Sequence, residues 1–390
     1  MIAVIADDFT GAAEIAGLGL RYGLKVEIES HLFSESDADL LIVATDTRSK
    51  EESEAYEEVF VITQKLKNIG CEWVYKKTDS VFRGHIYNEL KAMLDANGVK
   101  KALLVPANPE IGRKIKDGIY FVDNKFIHET NFAEDPEYPV TTSDVKTLMR
   151  TNDRDNIKLL NANSEIHEWG ISIGEAVSEK DLIEWAAKID NTIIPAGGAG
   201  FFKALLEVRG YKRKISVNGE NKQFGEKFLF VCGSAFSKGK AAFTNLQNCK
   251  RKTFPMPDAV FNNTSQSKDL FKTWEKNVIN AFDDNNFVIL EIDQPVVRDK
   301  KFAKRLREEM ARLVEHVLNK VEVNELLIDG GATVYSIAER VGLNKFFPVQ
   351  EIAPGVIRMK VQSRNDFHIT IKPGSYPWPE SLLDIPCEEK

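Results

Sequence analysis

Short apolar runs alternate with stretches of helical spacing from the start of the chain. Residues 2–6, IAVIA, hold no polar position, the pattern of a strand buried on both faces. Residues 11–22, GAAEIAGLGLRY, have helical spacing, and Gly23 stops it. The rhythm continues through KVEIES, DLLIVA, a helix over 51–68, the strand CEWVY, a helix over 86–96 and the strand KALLVPA. Alternation of this kind predicts a parallel sheet covered by helices. Ligands of such sheets gather beyond the carboxyl ends of the strands, so three turns carry the interest: 7–11, 76–85 and 106–113.

Residues 117–145 break the rhythm. DGIYFVDNKFIHETNF reads as a hairpin turning at Asp123-Asn124, and EDPEYPV as a rigid proline loop. The alternation resumes at IKLLNA and TIIPAGGAGFFKALLE. The polar, basic and glycine-containing stretch 209–227 is the expected boundary, giving domains over 1–215 and 225–390. Beyond it FLFVCGS, NFVILEI, ELLIDGGA and FHITIKPG read as strands, with helices over 238–248, 268–282, 299–320 and 333–341. The expected fold class is α/β: two α/β domains with a cleft between them, the first with a mainly parallel sheet and the second with a mixed sheet.

Composition narrows the function. At 390 residues, 43% hydrophobic and 28% charged, the chain has the make-up of a soluble globular protein with two cores. A net charge of −7 argues against non-specific nucleic-acid binding. No run approaches a membrane span, and MIAVIADDFTG lacks the basic start of a signal peptide. The four cysteines avoid CxxC spacing and read as reduced thiols of a cytoplasmic protein, and the six scattered histidines offer no zinc site.

Four constellations carry chemistry. In IADDFTGAAEIA, Asp7 and Asp8 leave a buried strand; they either form a turn and helix cap or bind and deprotonate hydroxyl groups. In KKTDSVFRGH, the cations Lys76, Lys77 and Arg83 suit a carboxylate, while Asp79 and Ser80 suit hydroxyls and Gly84 allows close approach. The alternative is a solvated loop of internal salt bridges. PANPEIGRKIKDG presents Arg113 from a proline-bracketed loop that is otherwise a structural turn. In the second half three glycine turns follow strands: Gly233-Ser234, Gly330-Gly331-Ala332-Thr333 and Lys372-Pro373-Gly374-Ser375. Such turns expose N–H groups at helix starts and suit phosphate. None is a Walker A loop, because GSAFSKGK has one residue too many and Ala241 replaces the hydroxyl residue. Acid and base groups in one half and phosphate turns in the other point to phosphoryl transfer from a nucleotide to a sugar acid.

Over nearly its whole length the chain resembles the four-carbon acid sugar kinases. ADDFTGAAEIA matches their ADDFTGA opening, KKTDSVFRGHI is similar to KxDSTLRGN, and PANPEIGRKIKDGIYFV with HETNFAEDPEYPV is similar to a PAFPxxGR and FAxDPxxPV run. CGSAFS, DGGATVYSI and KPGSYP resemble shorter motifs of the nucleotide domain. The resemblance implies a sugar-acid domain followed by an ATP domain, with ATP contacts at Ser234, Gly330, Gly331, Ala332, Thr333 and Gly374. It implies transfer from ATP, with Mg²⁺ on the phosphates, to the terminal (4-) hydroxyl of an acid such as erythronate, threonate or 3-oxo-tetronate. Asp8, or else Asp7, would accept the proton, and His85, where the family has Asn, would affect substrate contacts. Ala332 stands where the family has an acid, and Pro377 ends a turn usually richer in glycine. The expected partners are a sugar acid and ATP, with a homodimer held open as the assembly and no metal site made by the protein alone. A non-catalytic sugar-acid binder and an aspartyl phosphatase stay as alternatives.

Overall fold

The computed structural model describes residues 1–30, 36–135, 138–214, 223–233, 251–297, 299–374, 376–379 and 382. The chain divides into two compact units, Met1–Ile215 and Ser216–Lys390.

The first unit runs β1 (Ile2–Ala6), α1 (Phe9–Arg21), β2 (Val26–Ser30), β3 (Leu40–Ala44), a 3₁₀ turn (Thr47–Ser49), α2 (Glu52–Asn68), β4 (Trp73–Lys77), α3 (Ile86–Asn97) and β5 (Lys101–Val105). Then come β6 (Arg113–Lys116), β7 (Ile119–Val122), β8 (Lys125–Phe126), α4 (Val145–Leu148), β9 (Ile157–Leu160), β10 (Gly170–Gly174), α5 (Glu179–Ala187), β11 (Ile193–Gly197) and α6 (Ala199–Val208). The main sheet has the order β2-β3-β1-β4-β11-β5-β10-β9, and every neighbouring pair is parallel. The entirely apolar β1 lies inside it, buried along its whole length. Ala44, Ala6, Lys77, Gly197 and Val105 end adjacent strands in register, so the turns that follow them open at one edge.

The anticipated hairpin is β7–β8, with Asp123 and Asn124 both left-handed at φ 50° and 62°, the geometry of a tight primed turn. With β6 it makes a separate antiparallel sheet of three strands. The placement of two candidate ligand cations differs from expectation. Lys76 and Lys77 belong to β4 rather than to the turn after it. Two buried lysines are tolerable in a central strand because each has a counter-charge: Lys76 Nζ lies 3.2 Å from Glu89 of α3, and Lys77 Nζ 3.2 Å from Glu14 of α1.

The second unit runs β12 (Phe228–Cys232), β13 (Arg251–Pro255), α7 (Asp258–Phe261), α8 (Ser267–Ala281), β14 (Phe287–Glu291), α9 (Lys300–Leu318), β15 (Glu325–Asp329), α10 (Gly331–Val341), β16 (Lys345–Ala353), β17 (Val356–Val361) and β18 (His368–Lys372). In the order β13-β14-β12-β15-β18-β17-β16 the first five strands are parallel and the last two antiparallel, the mixed sheet that was expected. Phe228, Phe230, Phe287, Leu327 and Trp378 form its core. The helix expected over 238–248 lies outside the described residues. Among the described residues no helix is long and apolar enough to cross a membrane.

Candidate functional site

In the first unit, charged groups converge where β1, β3 and β4 end. Asp8 is the N-cap of α1: its Oδ1 accepts from the Gly11 N–H at 2.8 Å and its Oδ2 from Thr10 at 2.5 Å. Arg48, carried by the 3₁₀ turn after β3, reaches across. It donates to Asp7 Oδ2 from Nε at 2.9 Å and to Asp8 Oδ2 from Nη1 at 3.1 Å. Its Nη2 also lies 3.4 Å from Asp79 Oδ1. One guanidinium, its side chain 13% exposed, is therefore shared by three carboxylates. Gly84, at φ 87°, lets it in: a Cβ there would stand 3.3 Å from Arg48 Cγ.

The environments of the two adjacent aspartates differ. Burial pushes the Asp7 carboxyl up to about 6, against the pull of Arg48 and Lys76, and Asp8 and Glu89 add to the rise. For Asp8 burial acts in the same sense, but Arg48, Thr10, Lys77 and the Gly11 N–H outweigh it and lower the pKa. Asp7 Oδ1 is buried and has no hydrogen-bond partner among the described residues. Both Asp8 oxygens are engaged.

The KKTDSVFRGH stretch is mostly occupied with itself. Arg83 grips Asp79 with two parallel hydrogen bonds, Nε to Oδ2 at 3.0 Å and Nη2 to Oδ1 at 2.8 Å, and reaches Asp135 at 3.1 Å. Burial opposes ionisation of Asp79, yet Arg83 and Arg48 hold its carboxyl well below the usual range. Lys76 is fully buried beneath the site, bonded to backbone carbonyls and paired with Glu89, with no surface left to offer a ligand. His85 bonds the Lys50 carbonyl through Nε2 at 2.8 Å, with its ring edge-on to Tyr138, and so pins the turn that carries Arg48. Phe82 sits buried at φ 62°, a costly conformation for a bulky residue, and Arg150 holds its carbonyl at 2.7 Å. Ser80 and Arg113, both partly exposed, bond one another. Arg48 went unnoticed in the sequence: TDTRSK looks like any polar turn, and only the β1–β3–β4 register shows what it faces.

In the second unit Cys232, Asp329 and Lys372 end three adjacent strands in register. Lys372 Nζ donates to Asp329 Oδ1 at 2.6 Å, with both side chains fully buried. Burial pushes Asp329 up to about 6 against the pull of Lys372, and its Oδ2 has no hydrogen-bond partner among the described residues. Gly330, at φ 97°, leads into α10 with no side-chain cap, leaving its first N–H groups open. Gly374 lies in the turn just beyond Lys372, while Ser234 lies outside the described residues. Gly233 packs on Thr333: a Cβ there would meet Thr333 Oγ1 at 2.2 Å. Gly233→Ala should destabilise the second unit by about 1–3 kcal/mol through overpacking, and Thr333→Ala should restore most of it. Thermal melts of the two variants and the pair check this; a Gly233→Ala protein melting like wild type would sink it.

Among the described residues no group of three metal-binding side chains occurs. One buried carboxylate with an open oxygen beside an uncapped helix start nevertheless fits Mg²⁺ carried on phosphates, since that ion needs only one or two protein carboxylates.

Comparison with known proteins agrees with this division of chemistry. Residues 2–205 match the family model described as a sugar-binding N-terminal domain, and residues 229–376 that described as a nucleotide-binding C-terminal domain. A 3-oxo-tetronate kinase of Pseudomonas fluorescens is 29% identical over 231 residues, and the chain spans about half of that relative's length, 54%. A D-threonate kinase of Salmonella typhimurium is 22% identical over 378 residues, covering 90% of this chain and 89% of its own. A solved Haemophilus influenzae protein shares the fold, with a TM-score of 0.68 at 21% identity over 97% of both chains.

Proposed function

Because this chain belongs to the four-carbon acid sugar kinase family, we propose that it transfers the γ-phosphoryl group of ATP to the terminal hydroxyl of a four-carbon sugar acid. The observation that carries the reading is that each unit has a strand-end site, with complementary chemistry in the two. One offers Asp7 with an open oxygen, and the other an uncapped helix start beside Asp329 and Lys372.

Asp7, rather than Asp8, is the proton acceptor in this reading. It has an oxygen to spare and a pKa near neutrality, whereas Asp8 is spent on α1 and Arg48. That division also disfavours an aspartyl phosphatase, which needs a free nucleophile and a free acid. Ser80 and Arg113 contact the substrate. Arg48 positions Asp7; Asp79, Arg83, Gly84 and His85 shape the turn; Lys76 and Lys77 supply buried positive charge. Gly331, Ala332 and Thr333 offer N–H groups to phosphate; Gly330, whose own N–H bonds the Lys372 carbonyl at 3.1 Å, sets the turn, and Gly374 lies on the neighbouring one. Asp329 would hold Mg²⁺, which when bound neutralises charge on the phosphate oxygens.

The test is ATP-dependent phosphorylation of erythronate, threonate and 3-oxo-tetronate, followed by ADP release and phosphorus NMR of the product. A phosphate ester at the terminal carbon is expected for at least one acid. No ADP with any of them would overturn the reading.

A further inference from the structure

The mechanism leaves one part of the same sheet edge unused. α1 and α6 both begin there, following β1 and β11, but their starts differ. Asp8 fills the first turn of α1. The first turn of α6 has Gly198 as its N-cap, no side-chain hydrogen bond and no acidic residue. Its N–H groups and the positive end of the helix dipole remain available to an anion.

A second, independent feature points at the same place. Asn108 follows β5, the strand beside β11. It is only 8% exposed, and its Oδ1 has no hydrogen-bond partner among the described residues. Buried polar atoms are rarely left so without a reason. That oxygen lies 3.0 Å from where a Cβ on Gly200, in the first turn of α6, would stand. The loop is held firmly against the helix. The Asn108 and Arg113 backbones bond each other at 2.9 and 3.0 Å, and Pro109 stiffens the next residue. Only glycine at 200 leaves this carboxamide its room.

We propose that the first turn of α6 and the Asn108 side chain form the subsite for the α-hydroxy-carboxylate end of the substrate. The N–H groups of the turn donate to the carboxylate, and the C2 hydroxyl donates to Asn108 Oδ1. This rests on the sugar-acid kinase reading and deepens it. The carboxylate is held by helix N–H groups at the end of β11, and the cations of the KKTDSVFRGH turn stay with their own carboxylates.

Titration calorimetry on the full chain tests it, with erythronate and threonate against the corresponding tetritols, which carry CH₂OH in place of the carboxylate. Asn108→Asp keeps the shape and adds a negative charge beside the acid group. It should weaken binding of the acid at least ~30-fold and change the tetritol less than ~3-fold. Asn108→Ala should bring the acid and its 2-deoxy analogue to within ~3-fold of each other, where wild type separates them by about tenfold. Gly200→Ala, whose Cβ would stand 3.0 Å from Asn108 Oδ1 and 3.2 Å from Leu182 Cδ1, should weaken the acid more than the tetritol, and its melting temperature measures the overpacking separately. Equal weakening of acid and tetritol, or unchanged acid binding in all three variants, overturns the subsite and leaves the kinase reading standing. A wild-type protein that binds no tetronate removes both.

Discussion

Asp7→Asn should lower turnover by about 10²–10⁴-fold, the usual contribution of a positioned general base. The same change should leave the protein at least as stable at pH 7–8. The folded-state pKa of Asp7 is raised to about 6 by burial, above the ordinary 3.8. Between these values the folded chain binds more protons than the unfolded one, so stability falls as pH rises through that window, and the penalty persists above it. Asn never ionises and escapes that penalty. In wild type kcat/KM should therefore climb with pH to a plateau above about pH 6, and the acid limb should vanish in Asp7→Asn. Asp329 titrates in the same range, so the variant's profile makes the assignment. A variant with wild-type turnover would remove Asp7 from the role.

Arg48→Met should cost about 3 kcal/mol or more of stability in the first unit at pH 7.5. It leaves Asp7, Asp8 and Asp79 to repel one another in a buried place, and stripping a partner from a buried charge is among the costliest substitutions. Asp79 retains two hydrogen bonds from Arg83, and Asp8 those from Thr10 and the Gly11 N–H, whereas Asp7 keeps only the charge of Lys76 nearby, so Asp7 suffers most. Its protonation should relieve the defect, and the gap from wild type in urea unfolding should narrow as pH is lowered from 7.5 to 5.5. A pH-independent gap would mean that Arg48 contributes packing rather than charge.

Much of the fold could be read from the chain because its signals are local. IAVIA has no polar residue and can only be an interior strand, and Asp123-Asn124 marks a tight hairpin by its own backbone preference. Two of the strands left unread are of another kind, although β10, GISIG, and β17, VIRMKV, went unread while largely buried. β13, RKTFP, and β16, KFFPVQEIA, mix polar residues and proline into half-exposed strands whose only recommendation is the neighbour they pair with. The site failed to read for the same reason. Lys76 and Lys77 look like ligand cations until α1 and α3 supply Glu14 and Glu89 from elsewhere in the chain. Arg48 and Asn108 acquire meaning only when β3 is laid beside β1, and β5 beside β11.

The double duty of Asp8 has a consequence for any survey of which residues the protein tolerates. One carboxylate starts α1 through the Gly11 N–H and anchors Arg48 above the sheet. A selection for folded chains alone, with no substrate present, would reject most replacements there, and would disfavour side chains at Gly84 because the backbone is left-handed at φ 87° and Arg48 crowds the place of a Cβ. Intolerance at these positions therefore reports architecture. Asp7 and Asn108, each with one buried oxygen that bonds nothing among the described residues, separate the two pressures: replacements of the same shape, such as Asp7→Asn and Asn108→Asp, pass the folding selection and fail only when the reaction is required.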